Sequence, residues 1–512
     1  MASLPISIDA ELGRRILRAV KWPLAGGALA FLAGLIASTG SPLFVTAFIA
    51  LAVGFALLRF PGALMYSALI TCMVLVGTAE IFLSFSQANW AASAVVGGLL
   101  LATIFSKPVS SRRSPEVRQS FGYGLFIGGA ALYGLTMLIS LGLNRPGFGQ
   151  ALAGIRNYWP FLGVFFILAF GRLPFDVIRR VSLGMLGIAS IQWVYCVAQQ
   201  LIIVPKRQAV MGRISGEAEA IVGSFGGNPM LGGYTGEMAA FMAVMMVCSA
   251  FLAIKSVLPK WVPYVVGLSF LISVGLAETK IVFVLLPIVT FAILYRVPGG
   301  FDRALIKPVL AALVLVAVFG AIYWFKYWKD QGDFVHAFTY SFDPNFKVSE
   351  YERGRFGSLV HWWESMALTG DVPAMLLGFG PAASTAGSAI GGVGSAVLKF
   401  GLGLDNNAVT KLLWDFGVLG VIGVLLMIAG AYLTLIRLTN LKDINDSMRW
   451  LLVAVKGFIV AFAVMLPYQV SVLGGAPMQF LFWFALGLVA YAANWTGAPR
   501  EPVRAVLRGR RS

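Results

Sequence analysis

Arginines and lysines recur where an apolar chain has least need of them. Arg145, Arg156, Lys206, Arg207, Arg213, Lys280, Arg353, Arg355, Lys399 and Lys411 fall in connectors on one side of the alternating apolar blocks. Topology rules leave that side poor in basic residues. Guanidinium groups at a bilayer surface suit a diphosphate, because their planar fork pairs two oxygens at once. Pairing with Glu217, Glu219, Glu350, Glu352 or lipid headgroups is the structural alternative. Lys280 stands in the short turn Ala277-Glu278-Thr279-Lys280 between two apolar runs. There it snorkels or pairs with Glu278, or points into a cavity shared with the long connector that follows.

That connector, residues 326–417, holds the remaining candidates. Residues 354–364 read as an amphipathic helix on which Arg355 and Trp362, seven apart, share a face. The arginine suits a phosphate, and Trp362 and Trp363 read as interfacial anchors. His361 and His336 are the only histidines; a loop histidine is ordinarily solvated, and acid/base work is the alternative for His361. Further on, Asp405 and Asn406 precede an apolar run, where a short oxygen side chain caps a helix or a carboxylate activates a sugar hydroxyl. The sequence has no histidine pair, cysteine pair or acidic cluster for a metal, and no phosphate-cradling glycine loop.

The elements that must position these residues are membrane spans. The 512 residues are 59% hydrophobic and 12% charged, about half the charge usual in water-soluble domains. Apolar blocks of about 20 residues, the length that crosses a bilayer, recur near 22–38, 42–58, 61–78, 90–105, 121–143, 159–170, 181–204, 232–254, 261–277, 281–295, 308–325, 418–435, 450–467 and 478–494. The expected fold is all-α and polytopic, with about fourteen spans and a long outer loop containing short helices. Residues 1–21 read as a cytoplasmic amphipathic segment, 22–325 as the first eleven spans, 326–417 as the loop, 418–494 as the last three spans and 495–512 as a basic tail. The inner connectors are basic throughout, which places both termini in the cytoplasm. The net charge of +17 is therefore topological rather than a sign of a nucleic-acid partner. Cys72, Cys196 and Cys248 lie inside spans without regular spacing and read as small buried hydrophobes.

Four segments resemble the O-antigen ligase and O-antigen polymerase superfamily of lipid-linked glycan transferases. Arg213, then Gly223-Ser224-Phe225 and Asn228, is similar to the family's arginine and "GTF…N" pattern. Thr279-Lys280 stands where the family has a short "SRG" turn. Gly354-Arg355, Trp362 and Leu377-Gly378-Phe379-Gly380 resemble "GR…W…GxG". Asp405-Asn406, Asp415, Gly417, Leu419 and Gly420 resemble "HN…E.GLLG". The likeness covers residues 145–435. Asp405 replaces a histidine, which favours the polymerase side and leaves the general base open; Lys280 replaces arginine and Asp415 replaces glutamate. The resemblance implies a GT-C-like, metal-independent and cofactor-free enzyme on the periplasmic face of a bacterial inner membrane. It implies polymerisation of undecaprenyl-diphosphate-linked repeat units into a surface polysaccharide or exopolysaccharide, with membrane lipids, a flippase and a chain-length regulator as partners. Arg156, Arg207, Arg213, Lys280 and Arg355 would hold the diphosphate, Asn228 and Asn406 would orient substrates, and Asp405 or His361 would take the proton. Ligation of glycan to lipid A–core is the alternative within the family. A transporter of lipid-linked oligosaccharide or small anions, and a scaffold subunit, are the alternatives outside it. Against transport stand the outward clustering of charge, with Lys456 the main exception inside a span, and the absence of an internal repeat.

Overall fold

The computed structural model describes residues 58–112, 116–211, 219–296 without 229 and 231, 353–387, 392–442 without 402, and 444–499, with a few positions between 314 and 345. The described residues lie almost entirely in one compact unit, Pro61–Ser512. Arg213, His336 and the expected spans at 22–38, 42–58 and 308–325 lie outside the described residues, except for Leu58 and a few positions of the last.

The protein is an all-α, polytopic membrane protein. Eight helices among the described residues are long and apolar enough to cross a bilayer: α1 (Pro61–Leu83), α2 (Ala88–Phe105), α3 (Phe121–Asn144), α6 (Phe175–Met211), α7 (Thr235–Ile254), α13 (Ala408–Thr439), α14 (Asp446–Met465) and α15 (Ala476–Asn494). A ninth arises if α4 (Phe148–Tyr158) and α5 (Leu162–Ala169), bent by 43° at their junction, count together. The expected span at 159–170 is only the second leg of this bent unit. Helices α8 (Val262–Ala277) and α9 (Val282–Leu294) stand at two further expected positions but are shorter than a span, so the described residues hold eight spans, or nine with the bent pair, of the fourteen expected. The connector expected to begin at Pro205 begins later, since α6 runs through the proline to Met211, although a proline inside a helix loses one ladder bond and crowds the carbonyl four residues earlier. The long loop does contain short helices: α10 (Arg355–Thr369), α11 (Val372–Leu377) and α12 (Ser395–Phe400).

Helix α15 is the core. Its apolar side chains face all directions and nearly all are buried, as expected of a helix surrounded by others. Helices α3 and α13 meet along glycines. A Cβ at Gly129 would lie 2.4 Å from the Met427 nitrogen, and one at Gly430 would lie 2.2 Å from that of Phe126. Small residues let two backbones approach where lipid supplies no hydrophobic drive to pack them.

Contacts between connectors sort them onto two ends of the bundle. At the first, here the tail end, β1 (Ser110–Arg112) pairs antiparallel with β4 (Trp495–Pro499), the Val109 amide donates to Gly171 O, and Trp495 Nε1 donates to Ala169 O. At the second, the loop end, β2 (Gly227–Asn228) and β3 (Gly232–Gly233) form a small hairpin beside the ends of α1 and α2, and the Ala408 amide donates to Leu466 O and Gln469 O. Lys456 lies toward the tail end, donating its ammonium to the carbonyl of Tyr295, which caps α9. A cation on a helix C-terminal carbonyl needs no further function to explain it.

Candidate functional site

Two irregular segments carry the loop end, and polar side chains from the spans hold each one. Residues 220–226 run buried between helices. Their backbone groups must be satisfied away from water, and two glutamines seven apart on α6 do this. Gln199 Oε1 accepts from the amides of Val222 (2.9 Å) and Gly223 (3.0 Å), and its Nε2 donates to Gly223 O (2.6 Å). Gln192 accepts from the Ser224 amide and donates to its hydroxyl. The Ser224 hydroxyl in turn donates to Met73 O, within the π turn Thr71–Leu75 of α1. Wider turns of this kind break the regular ladder and often mark functional places. Glu80 closes the segment, accepting from the Gly227 amide (2.8 Å) and from Asn89 Nδ2. The Gly223-Ser224-Phe225 motif is thus a buried backbone insertion, and Asn228 makes a turn by accepting from the Met230 amide.

The second segment is the Leu377–Gly380 motif, which lies against the first turns of α13. The Phe379 amide donates to Trp414 O and the Gly380 amide to Asp415 O. Gly378 (φ 71°, ψ −169°) and Gly417 (φ 66°, ψ −168°) occupy a region open essentially to glycine alone. A Cβ on either would fall 2.3–2.4 Å from the opposing backbone. Asp415 is wholly buried, and its carboxylate accepts from Tyr158 Oη (2.7 Å), the Ala382 amide (3.0 Å) and the Ser384 amide (2.9 Å). Asn144 Nδ2 holds Gly378 O, and Gln150 holds Pro381 O and the Ser395 amide. Around this clamp Trp362, Met366, Ala396, Leu404 and Trp414 form the loop's own apolar core. Trp362 is therefore a core residue rather than an interfacial anchor; its neighbour Trp363 is the exposed one.

Between these segments the expected cations meet carboxylates. The Arg156 guanidinium lies 4.8 Å from the centre of the Trp90 ring, within Coulombic reach of Glu80 and Tyr234. Arg355, at the start of α10, donates from Nε to Tyr468 O (2.7 Å) and stacks 4.1 Å over the Tyr468 ring. Glu237 lies within Coulombic reach of Arg355, and Tyr234 within reach of Glu80, Glu237 and Arg156. Lys411 Nζ is 3.9 Å from Asp405 Oδ2, and Asp405 is a Coulombic neighbour of Tyr158. Burial raises the Asp405 carboxyl above the ordinary carboxylate range, and Lys411 opposes this.

Asn407, not Asp405 or Asn406, caps α13: its Oδ1 accepts from the Thr410 amide, and the Thr410 hydroxyl completes a capping box. Its Nδ2 donates to Arg355 O, while Asn406 donates to Arg353 O. Both asparagines thereby tie the start of α10 to the start of α13. His361 is half-buried, 6.0 Å from Trp414, with Nδ1 3.4 Å from Ser365 Oγ. Burial, aided by Arg353, lowers its pKa below 6.5 against the opposing Phe400 carbonyl and Glu364. Arg207 is buried near the end of α6 with Glu219 in Coulombic reach, and Lys280 is half-buried in the turn between α8 and α9. The structure thus brings together Arg156, Arg355, Asp405, Asn406 and Lys411.

Sequence reasoning missed Glu80, Glu237, Gln192 and Gln199. Their signal was present, since each is a polar residue inside an apolar run. Among the described residues no group of three or more histidine, cysteine, aspartate or glutamate side chains is arranged to hold a metal ion. The cysteines are buried and free. Neither a protein-family model nor a curated protein sequence matches the chain.

Proposed function

We propose that this protein is a glycosyltransferase of GT-C-like architecture that polymerises lipid-diphosphate-linked oligosaccharide units, its loop end facing the periplasm of a bacterial cell. The observation that carries the reading is the convergence of Arg156, Arg355 and Lys411 with carboxylates at one end of an apolar bundle. A polyprenyl chain suits the bundle's apolar flank, and the diphosphate suits cations that hold it and stabilise the charge growing on the leaving oxygen. The hydroxyl of a second repeat unit attacks the anomeric carbon from the opposite face and inverts it. Its proton passes to a carboxylate, for which the sequence offers Asp405. Asn406 and Asn407 keep α10, and with it Arg355, at the start of α13. Ligation of the glycan to lipid A–core uses the same donor chemistry and differs only in the acceptor.

Replacing Arg355 by alanine removes a charge-assisted contact to the leaving diphosphate, a loss of about 10²- to 10³-fold in turnover. In cells, single repeat units accumulate while protein levels hold. Unchanged chain length in both R355A and R156A, at normal protein levels, refutes the reading. The burial of Glu80 and Glu237 in spans favours a second one, a carrier of lipid-linked oligosaccharide. Accumulation of the oligosaccharide in vesicles without change in its length would select it.

A further inference from the structure

We infer that Glu237 is the carboxylate that takes the proton from the attacking hydroxyl, an assignment that rests on the transferase reading. Three carboxylates at the loop end are buried: Glu80, Glu237 and Asp415. Asp415 is committed to a phenol and two amides, and Glu80 to an amide and an asparagine. Asp405, half-buried, is paired with Lys411, whose charge weakens it as a base. Glu237 alone among the three has both oxygens without a hydrogen-bond partner in another described residue; only its own amide lies beside them.

Such oxygens need donors. Glu237 sits in the first turn of α7, where the helix's own N-terminal amides favour an anion and disfavour a bound metal cation. A hydroxyl satisfies the carboxylate without opposing that field, and a glycan is rich in hydroxyls. Arg355 donates to Tyr468 O and Gly236 abuts the next residue, Gln469, so a diphosphate on Arg355 lies close to a hydroxyl on Glu237; Glu219 is the other charge within Coulombic reach. In this conformation the group is closed off. Gly236 abuts the Gln469 side chain and Gly475 abuts the Tyr234 ring, so the connector 468–475 covers the start of α7. An acceptor reaches Glu237 past that cover and the half-buried Tyr234. In the step itself the acceptor oxygen bonds to the anomeric carbon as its proton moves to Glu237. The anomeric C–O bond to the diphosphate breaks, and its electron pair leaves with the lipid diphosphate. Glu237 then returns its proton to solvent.

The test uses the full-length protein in liposomes containing polyprenyl-diphosphate-linked oligosaccharide. It measures chain extension against pH, donor affinity by tryptophan fluorescence, and melting temperature. We expect E237Q to lose about 10²- to 10⁴-fold in turnover, with donor affinity and melting temperature kept and the acid limb of the pH profile gone. Formate should restore part of the rate of E237A. Extension by E237Q within about threefold of the wild-type rate overturns the assignment while leaving the transferase reading intact. So does a loss that only follows a lower melting temperature and that formate does not rescue in E237A. A wild-type protein that never extends the glycan overturns both.

Discussion

Replacing Asp415 by asparagine tests whether one side chain holds the loop on α13. The carboxylate accepts three hydrogen bonds on two oxygens: Tyr158 Oη and the Ala382 amide on Oδ2, and the Ser384 amide on Oδ1. An asparagine offers one acceptor oxygen. Placed at the Oδ2 position it keeps Tyr158 and Ala382, but its NH2 then faces the Ser384 N–H, donor against donor. In the other orientation two partners are lost. A bond to a charged acceptor contributes about 1.5–3 kcal/mol, and a buried donor left unpaired costs about 1–3 kcal/mol. Because the residue is wholly buried, water does not replace the loss. The better orientation thus destabilises the docked loop by about 3 kcal/mol, roughly a 150-fold rise in its opening. Hydrogen exchange reads this directly at the amides of Ala382 and Ser384. The amides of Val222 and Gly223, held by Gln199 in another segment, serve as the internal reference. Exchange at Ala382 and Ser384 within about threefold of wild type, with the reference unchanged, would refute the reasoning, because it would mean the clamp adds little to loop docking.

Two further outcomes follow from the same geometry. Gln199→Leu strands two amides and a carbonyl in the bundle interior, a loss of about 3 kcal/mol or more; the melting temperature in detergent should fall well below that of an outward-facing apolar control such as Leu201→Ala, and equal values would remove Gln199 from its role. His361 has a folded-state pKa below the ordinary 6.5, chiefly from burial. Its packing is therefore fully stabilising above pH 6.5 and is lost as pH falls through the folded value. Proteolysis within residues 353–401 should accelerate on acidification, and His361→Gln should flatten that dependence; an identical pH response in the variant would assign it to another group.

What could be read from sequence divides along a physical line. Spans are legible because a bilayer demands long apolar runs, so α2, α3, α7, α14 and α15 lie close to their expected positions. The seam between α3 and α13 was not legible, because Gly129 and Gly430 look like any helical glycines until a neighbouring backbone is seen 2.2–2.4 Å from a Cβ they lack. The basic candidates Arg156 and Arg355 were found by their misplaced charge, and the structure puts both at the loop end. A search for misplaced basic residues passes over Glu237, an acidic residue inside an apolar run, and its orphaned oxygens are a property of what surrounds it. Nor did type and position show that Asn407, rather than its neighbours, carries the cap, since two adjacent asparagines satisfy the same rule.

The loop end uses one device twice. Backbone that leaves the helical ladder inside an apolar bundle must find partners there, and in both irregular segments a span supplies them through side chains that make several bonds each. Gln192, Gln199 and Glu80 do so for residues 222–227, and Asp415 does so for residues 382–384. The cations stand between these two supports without being part of either. Arg156 lies on α4, whose Tyr158 is bonded to Asp415, and Arg355 begins α10, which Asn406 and Asn407 tie to α13. Their positions are therefore set by the side chains that tie α4 and α10 to the start of α13. That arrangement suits a ligand with two phosphates at fixed spacing, and it makes a prediction about error: substitutions in the supporting glutamines and Asp415 should misplace the cations, raising the ligand concentration needed, whereas substitutions of the cations themselves should leave both segments folded.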